Sequence, residues 1–438
     1  MRTIFKSGHL LLMLAVAVII SSCNKNDYHK SVSVQNNVNI GDADVAIDWY
    51  KMQLKLLLER NSTLNGAFFG YLGIGLYESV CPGIKNAKSL SSVLYQMPNM
   101  PQKENAGYNW KISANAAMAA LLKSFNSGLT SANIASIDSL ENAYNEKLKP
   151  DNGSVFERSK AFGKSVAAAV YTWSLTDNFN PSNAGYVYPV FDGGWVPTPP
   201  AFVNPPVMPF LSTARPLCAF NLNVVAPPPP YTYSTDPSSD FYRMVFEVFD
   251  SSQHLTQEQT DIARFWVDQG NNSGYTPPGH DFSLLIQALQ STGADLGVAA
   301  ETLAKAGIAE RDATIVCFAS KYTYNRIRPV SYVREFISDS WLPFIVTPPH
   351  PEYPAAHAFI TGTVMKAAEK VLGVINITDH TYDFKGWNAR SYNSLFDAAR
   401  EAGISRFYGG IHYRPSIQIG LELGDEMGTR IGELDLRD

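Results

Sequence analysis

Residues 294–324 read ADLGVAAETLAKAGIAERDATIVCFASKYTY and carry the strongest helical signal in the chain. Helical spacing also recurs on the N-terminal side of this stretch. Ile47, Tyr50, Leu54, Leu57 and Leu58 mark a helix over 46–60. The apolar and small run LNGAFFGYLGIGLYESV over 64–80 predicts a buried helix that Pro82 and Gly83 stop. Further helices are expected over 111–125, 131–148 and 154–175, the last with Ser154 as N-cap. Helical signals resume at Ser239, over 256–268 and over 280–291. Strand signal is weak throughout, so the expectation is all-α: a large bundle of ten or more helices.

One region breaks the pattern. Residues 180–231 hold much of the proline, including Pro227-Pro228-Pro229-Pro230. Proline breaks helices and cannot donate to a ladder, so this is a long irregular excursion. It is expected to cover the core, anchored by Phe191, Trp195, Phe202, Phe210 and Phe220, with a disordered linker as the rival reading.

The chain of 438 residues opens with Arg2 and Lys6, an apolar stretch from Leu10 to Ile20, and then Ser21-Ser22-Cys23. That start reads as a secretory signal, and Ile20-Ser21-Ser22-Cys23 resembles a bacterial lipoprotein cleavage box. The resemblance implies removal of residues 1–22, lipidation of Cys23, a polar tether over 23–42, and a single helical domain over 43–438. The expected location is a membrane surface, at the outer membrane or on the periplasmic side. The net charge of −5 and the lack of a dense Lys/Arg block argue against a nucleic-acid partner. Cys81, Cys218 and Cys317 are too widely spaced for a disulfide framework or a zinc site and read as buried apolar residues.

Three stretches within 315–438 carry chemistry. In the first, Lys321 to Pro329, Lys321 and Arg328 stand about two helical turns apart, on one face of a helix that Pro329 ends. Two cations on one face can converge on an anion. In the second, a proline-rich loop (PPHPEYP, 348–354) runs into a small-residue helix over 355–371. His357 then sits in the first turn, where the helix field lowers its proton affinity and suits acid–base work. In the third, Arg406 and His412 flank Gly409-Gly410, which permits a tight turn. Pro415 would start a last helix, on which Gly420, Gly424 and Gly428 make a bare packing stripe.

Taken together, Lys-x₆-Arg-Pro, Pro-Ala-Ala-His and Ser-Arg-x₃-Gly-x-His resemble the signature shared by type 2 phosphatidic acid phosphatases, bacterial class A acid phosphatases and vanadium-dependent haloperoxidases. The text around 67–80, 194–200 (GWVPTPP), 241–266 and 276–280 (TPPGH) is similar to the secreted bacterial haloperoxidase-like branch. The resemblance implies vanadate or phosphate held by Lys321, Arg328 and Arg406, with backbone donors at Ala356 and Gly410. His412 would coordinate vanadium or attack phosphorus, and His357 would be the acid–base residue. Lys321 would polarise peroxide, and the partners would be hydrogen peroxide, halide and an organic acceptor, or else a phosphate ester.

Two departures bear on the choice. The family usually has Ser-Gly where this chain has Ala355-Ala356, losing a hydroxyl donor worth about 1.5–3 kcal/mol to a charged group. It often has Asp where this chain has Ser416, losing a carboxylate that would orient His412. The second loss hurts a phosphohistidine route more than metal coordination, so haloperoxidase stands ahead of phosphatase, with an oxyanion-binding, non-catalytic lipoprotein as the third reading. His280 reads as a loop residue, His350 and Glu352 as lining the pocket mouth, and Tyr408 as packing. No His-Glu-x-x-His or Gly-x-Ser-x-Gly motif occurs.

Overall fold

The computed structural model describes residues 40–60, 66–126, 128–149, 153–268 and 274–437. The expected signal, Cys23 and most of the tether lie outside them. The described residues all fall within one compact unit.

Thirteen α-helices account for nearly all the regular structure among the described residues. The N-terminal set is α1 (Asp44–Arg60), α2 (Gly66–Val80), α3 (Trp110–Phe125), α4 (Ser131–Leu148) and α5 (Gly153–Ser174). Since α5 starts at Gly153, Ser154 lies inside its first turn and is not the cap. After the excursion come α6 (Asp240–Gln253), α7 (Gln257–Phe265), α8 (Pro277–Thr292), α9 (Leu296–Tyr324), α10 (Pro329–Phe336), α11 (Gly362–Leu372), α12 (Leu395–Tyr408) and α13 (Arg414–Gly432). Local chemistry sets several of these starts. Ser239 caps α6 through Tyr242 N, Thr256 and Gln259 form a capping box on α7, and Asp295 caps α9 through Val298 N. The one sheet among the described residues pairs β1 (Ile377–Asp379) with β2 (Arg390–Tyr392), antiparallel, with Asp379 opposite Arg390.

Helix α9 is the axis of the unit. Most of its residues from Leu296 to Ala313 are buried, the charged Lys305, Glu310, Arg311 and Asp312 among them, so it is enclosed on every side and not amphipathic. Backbones approach closely where side chains are absent: a Cβ on Gly73 of α2 would lie 2.4 Å from Leu303 O of α9. The expected stripe on α13 behaves the same way. A Cβ on Gly424 would lie 3.0 Å from Gly362 Cα, and one on Gly428 would lie 2.6 Å from Thr363 O. That contact presses α13 onto α11 and the turn before it. Cys81, Cys218 and Cys317 are buried free thiols. No helix among the described residues is long and apolar enough to cross a membrane.

The excursion is a cover, pinned chiefly by hydrogen bonds. Buried Asp312 accepts from Leu217 N (2.6 Å), Cys218 N (2.9 Å) and Asn221 Nδ2 (2.8 Å). Ser320 accepts from Ala226 N, Tyr324 donates to Ala226 O, and Tyr353 donates to Pro227 O. Val207 N donates to Pro349 O and Trp195 N to Asn325 O. Of the five expected aromatic anchors, Trp195 is fully buried and Phe210 and Phe220 are partly so, whereas Phe191 and Phe202 are exposed. Backbone pairing replaces the anchoring expected of those two.

Two local expectations are corrected. Helix α9 ends at Tyr324, where Asn325 adopts a left-handed conformation (φ 45°) that terminates helices. Pro329 occupies the first position of α10, where its missing N–H costs nothing, so it starts a helix and does not end one. Lys321 and Arg328 therefore do not share a helix face. The helix expected over 355–371 opens with a five-residue π-helical turn, His357–Thr361, before α11.

Candidate active site

Lys321 leaves the last turn of α9 and is fully buried. Its Nζ donates to three carbonyls of the proline-rich loop: Pro351 O (3.1 Å), Glu352 O (2.9 Å) and Pro354 O (2.6 Å). Arg328, the residue before α10, reaches the same loop from the other side. Its Nε donates to His350 O (2.9 Å), and Nη1 donates to Ile411 O (2.8 Å) and lies 3.1 Å from His412 Nε2. The two cations thus converge through the 350–354 loop. Arg406, in the last turn of α12, is held by Trp266 O at 2.5 Å, and its Nε is buried without a partner. Its field reaches Arg328, His357 and His412, and the fields of Arg328 and Lys321 also reach His412, so that ring is the group all three cations act on.

None of the three cations has a carboxylate partner within ion-pair distance among the described residues. Burial, together with the neighbouring cation, lowers Lys321 to about 8 and Arg328 to about 10, and burial lowers Arg406 to about 10. All three still carry their charge at neutral pH. Buried charges are normally paired, and Glu352 acts on Lys321 and Arg328 from beyond ion-pair distance, so the trio keeps a net positive charge suited to an anion.

His412 is buried, with Nδ1 2.7 Å from Glu352 Oε1. Tyr413 N also donates to that oxygen, at 3.2 Å. Glu352 therefore orients the imidazole and leaves Nε2 facing the cations. The carboxylate missing at position 416 is supplied from the proline-rich loop. Ser416 Oγ favours the charged form of Glu352 but makes no hydrogen bond of good geometry. Burial raises Glu352, and Arg328 and Lys321 pull it back. Burial and the surrounding cations push His412 and His350 well below the usual histidine range, so both rings are neutral. His350 Nδ1 lies 3.1 Å from Arg328 Nη2, which places this ring in the cation shell.

His357 lowers to about 4, through burial and Arg406, against the pull of Asp268. Its Nε2 lies 3.4 Å from Asp268 Oδ2, too poorly aligned for a hydrogen bond, and both atoms are otherwise unpartnered. Asp268 Oδ1 accepts from Tyr382 Oη (2.6 Å) and faces His280 Nδ1 (2.9 Å). Gly410, expected to offer a backbone N–H, adopts φ +75° and donates to Phe407 O at 2.9 Å. That hydrogen bond closes the tight turn the Gly-Gly pair permits and engages the donor. Ala356 sits at the mouth of the π-helical turn, in helical conformation. Asp268, Asp379 and the role of Glu352 escaped the sequence reading, because no motif ties them to His357, His280 and His412, which lie 89, 99 and 60 residues away.

The helical unit that holds these buried arginine, lysine and histidine side chains is similar to vanadium-dependent haloperoxidases. Residues 301–434, from α9 to α13, match the family model of the VCPO second helical-bundle domain. The whole fold superimposes on the crystal structure of the first bacterial vanadium-dependent iodoperoxidase with a TM-score of 0.81, at 29% identity, over 91% of this chain and 98% of that one. The holo-type bacterial vanadium-dependent chloroperoxidase gives 0.62 at 15% identity, over 87% and 92% of the two chains. Its apo-type form gives 0.62 at 14%, over 85% and 93%. Those two likenesses concern the fold. A comparison with curated proteins gives no match.

Proposed function

We propose that this chain is a vanadate-binding haloperoxidase that oxidises halide with hydrogen peroxide for transfer to an organic acceptor. The observation that carries the reading is the buried trio Lys321, Arg328 and Arg406, without carboxylate partners and arranged beside His412 Nε2. The donor set fits the cofactor. Unpartnered Arg406 Nε supplies a hydrogen-bond donor, the three cations supply positive charge, and a neutral imidazole supplies one ligand nitrogen. Vanadate, when bound, would supply the Lewis acidity that activates peroxide. The fixed cations would balance its charge without reorganising. Glu352 would hold His412 in the tautomer that leaves Nε2 free to ligate.

Halide, peroxide and one proton give hypohalous acid and water, so the reaction needs a proton carrier beside the anion. His357 is neutral above about pH 4 and only partly buried, which suits it to take a proton from peroxide and return it to the leaving oxygen. Lys321, whose three ammonium hydrogens are taken by the carbonyls of Pro351, Glu352 and Pro354, would polarise the peroxide through its charge. An iodoperoxidase aligns over 91% of the chain, so iodide is the halide to test first.

One observation favours a second reading. Glu352 gives His412 the oriented, more basic imidazole that a phosphohistidine route needs, so the Ser416 departure no longer counts against phosphatase activity. A paired assay separates the readings: halogenation of a reporter with vanadate, peroxide and iodide, beside phosphate-ester hydrolysis without vanadate. Ester turnover alone would overturn the haloperoxidase reading in favour of the phosphatase. Silence in both assays from a folded protein would favour a binding-only role, with Ala355 the first residue to suspect. We also propose export and lipidation at Cys23, supported by the Ile20-Ser21-Ser22-Cys23 box. Loss of acyl labelling in Cys23→Ala is the check.

A further inference from the structure

Behind His357 lies a second, fully buried histidine with no place in the chemistry so far. His280, in the first turn of α8, has no exposed surface. Its Nδ1 lies 2.9 Å from Asp268 Oδ1, and its Nε2 lies 2.8 Å from Asp379 Oδ2 on β1. The ring stacks on Trp266, with centroids 4.1 Å apart and planes at 18°. Asp379 is fixed in turn, its Oδ1 accepting Thr381 N at 2.8 Å. The result is a line of charged and polar groups, Asp379, His280, Asp268 and His357, drawn from four segments of the chain.

A histidine facing a carboxylate at each ring nitrogen must donate at both to satisfy them, and only the doubly protonated ring can do so. A neutral ring would leave one carboxylate facing a lone pair in the interior, which is costly. We infer that His280 and Asp379 are positioning residues for the proposed acid–base step: as a fixed cation behind Asp268, His280 holds that carboxylate ionised and turned to His357, while limiting how strongly it attracts a proton there. The two carboxylates overcome burial and raise His280 to about 10, in keeping with this geometry. The charges facing His357 are Asp268, which favours a proton on it, and Arg406 and His280, which oppose one; His350 is neutral. Those facing His280 are Asp268 and Asp379. Asp281 beside it is raised by burial to about 8 and stays protonated at neutral pH.

The sign follows. If His280 loses its charge, Asp268 faces His357 uncompensated and the proton affinity of His357 rises. The catalytic meaning rests on the haloperoxidase reading, but the titration does not. The test is NMR titration of histidine rings in ¹³C-histidine-labelled, vanadate-free protein. In the unaltered protein, His280 should remain protonated from pH 6 to pH 9. In His280→Gln, the His357 midpoint should move up by about one pH unit. Asp379→Asn, which keeps the ring and its stack, should move it the same way by less. A His280 ring that titrates near 6.5 would overturn the inference. So would a His357 midpoint unmoved in either folded variant, since scaffolding alone would leave it in place. Should His280→Gln fail to fold, the unaltered protein and Asp379→Asn decide. A failed halogenation assay alongside the expected shifts would count against the function and not against this network.

Discussion

Replacing Glu352 with glutamine keeps the shape of the His412 partner and removes its charge. Two effects oppose each other. Coulomb's law alone predicts tighter vanadate binding, because a buried negative charge is withdrawn from a site built for an anion. Against it stands the loss of a charge-assisted hydrogen bond of 2.7 Å to His412 Nδ1. Such a bond contributes about 1.5–3 kcal/mol, equivalent to roughly 10- to 150-fold in a dissociation constant. The amide oxygen can still accept from His412 and Tyr413, so orientation is largely kept and imidazole basicity is what falls. The Coulombic gain is small, because Lys321 and Arg328 already offset the Glu352 charge. The expected outcome is vanadate affinity weakened by about 10- to 100-fold, measured by calorimetric titration of the vanadate-free protein. Equal or tighter binding in a folded variant would refute the reasoning that Glu352 acts through the imidazole.

Two further outcomes concern stability. Asp312→Ala strands three donors of the excursion, Leu217 N, Cys218 N and Asn221 Nδ2. It should cost on the order of 3 kcal/mol and make residues 215–226 the first site of limited proteolysis; a cleavage pattern like that of the unaltered protein would contradict the pinning. Acid should destabilise the fold through His350, His357 and His412, all held below the unfolded value of 6.5. A depressed group contributes stability above 6.5 that is lost as pH falls, for His357 through about 4. His280 has the opposite sign: its contribution is full below 6.5 and is lost as pH rises through about 10. Urea midpoints should therefore fall both from pH 6.5 towards 4 and from pH 6.5 towards 10, and a flat profile would contradict both assignments.

The helical character of the fold was legible because its helices carry their own signals, such as Ser239 and Thr256 as caps and the glycine spacing on α13. Helix α10 was hidden by Pro329, since a proline after a helical stretch reads as a stop whether it ends one helix or begins the next. Helix α12 passed unnoticed because its buried residues mix alanine, glycine, serine and arginine with Leu395, Phe396 and Phe407 around the helix, leaving no apolar stripe to read. In the site, the cations and histidines could be found because three motifs recur in one order. Their supports could not. Glu352 meets His412 across 60 residues and Asp379 meets His280 across 99, and an isolated acid in a sequence reads first as a solvated side chain. Position 416 shows the consequence: the residue that orients His412 was sought four residues on, in the first turn of α13, and the fold supplies it from the proline-rich loop.

The central claim is that these residues build a vanadate site that oxidises halide. The most direct measurement strips the purified, lipid-free protein of oxyanions by dialysis and then adds orthovanadate in steps, following iodide oxidation by hydrogen peroxide. The account predicts no activity at the start, a rise that saturates at one vanadate per chain, competition by phosphate, and no recovery in His412→Ala. Activity that ignores vanadate, or that survives intact in His412→Ala, would contradict it.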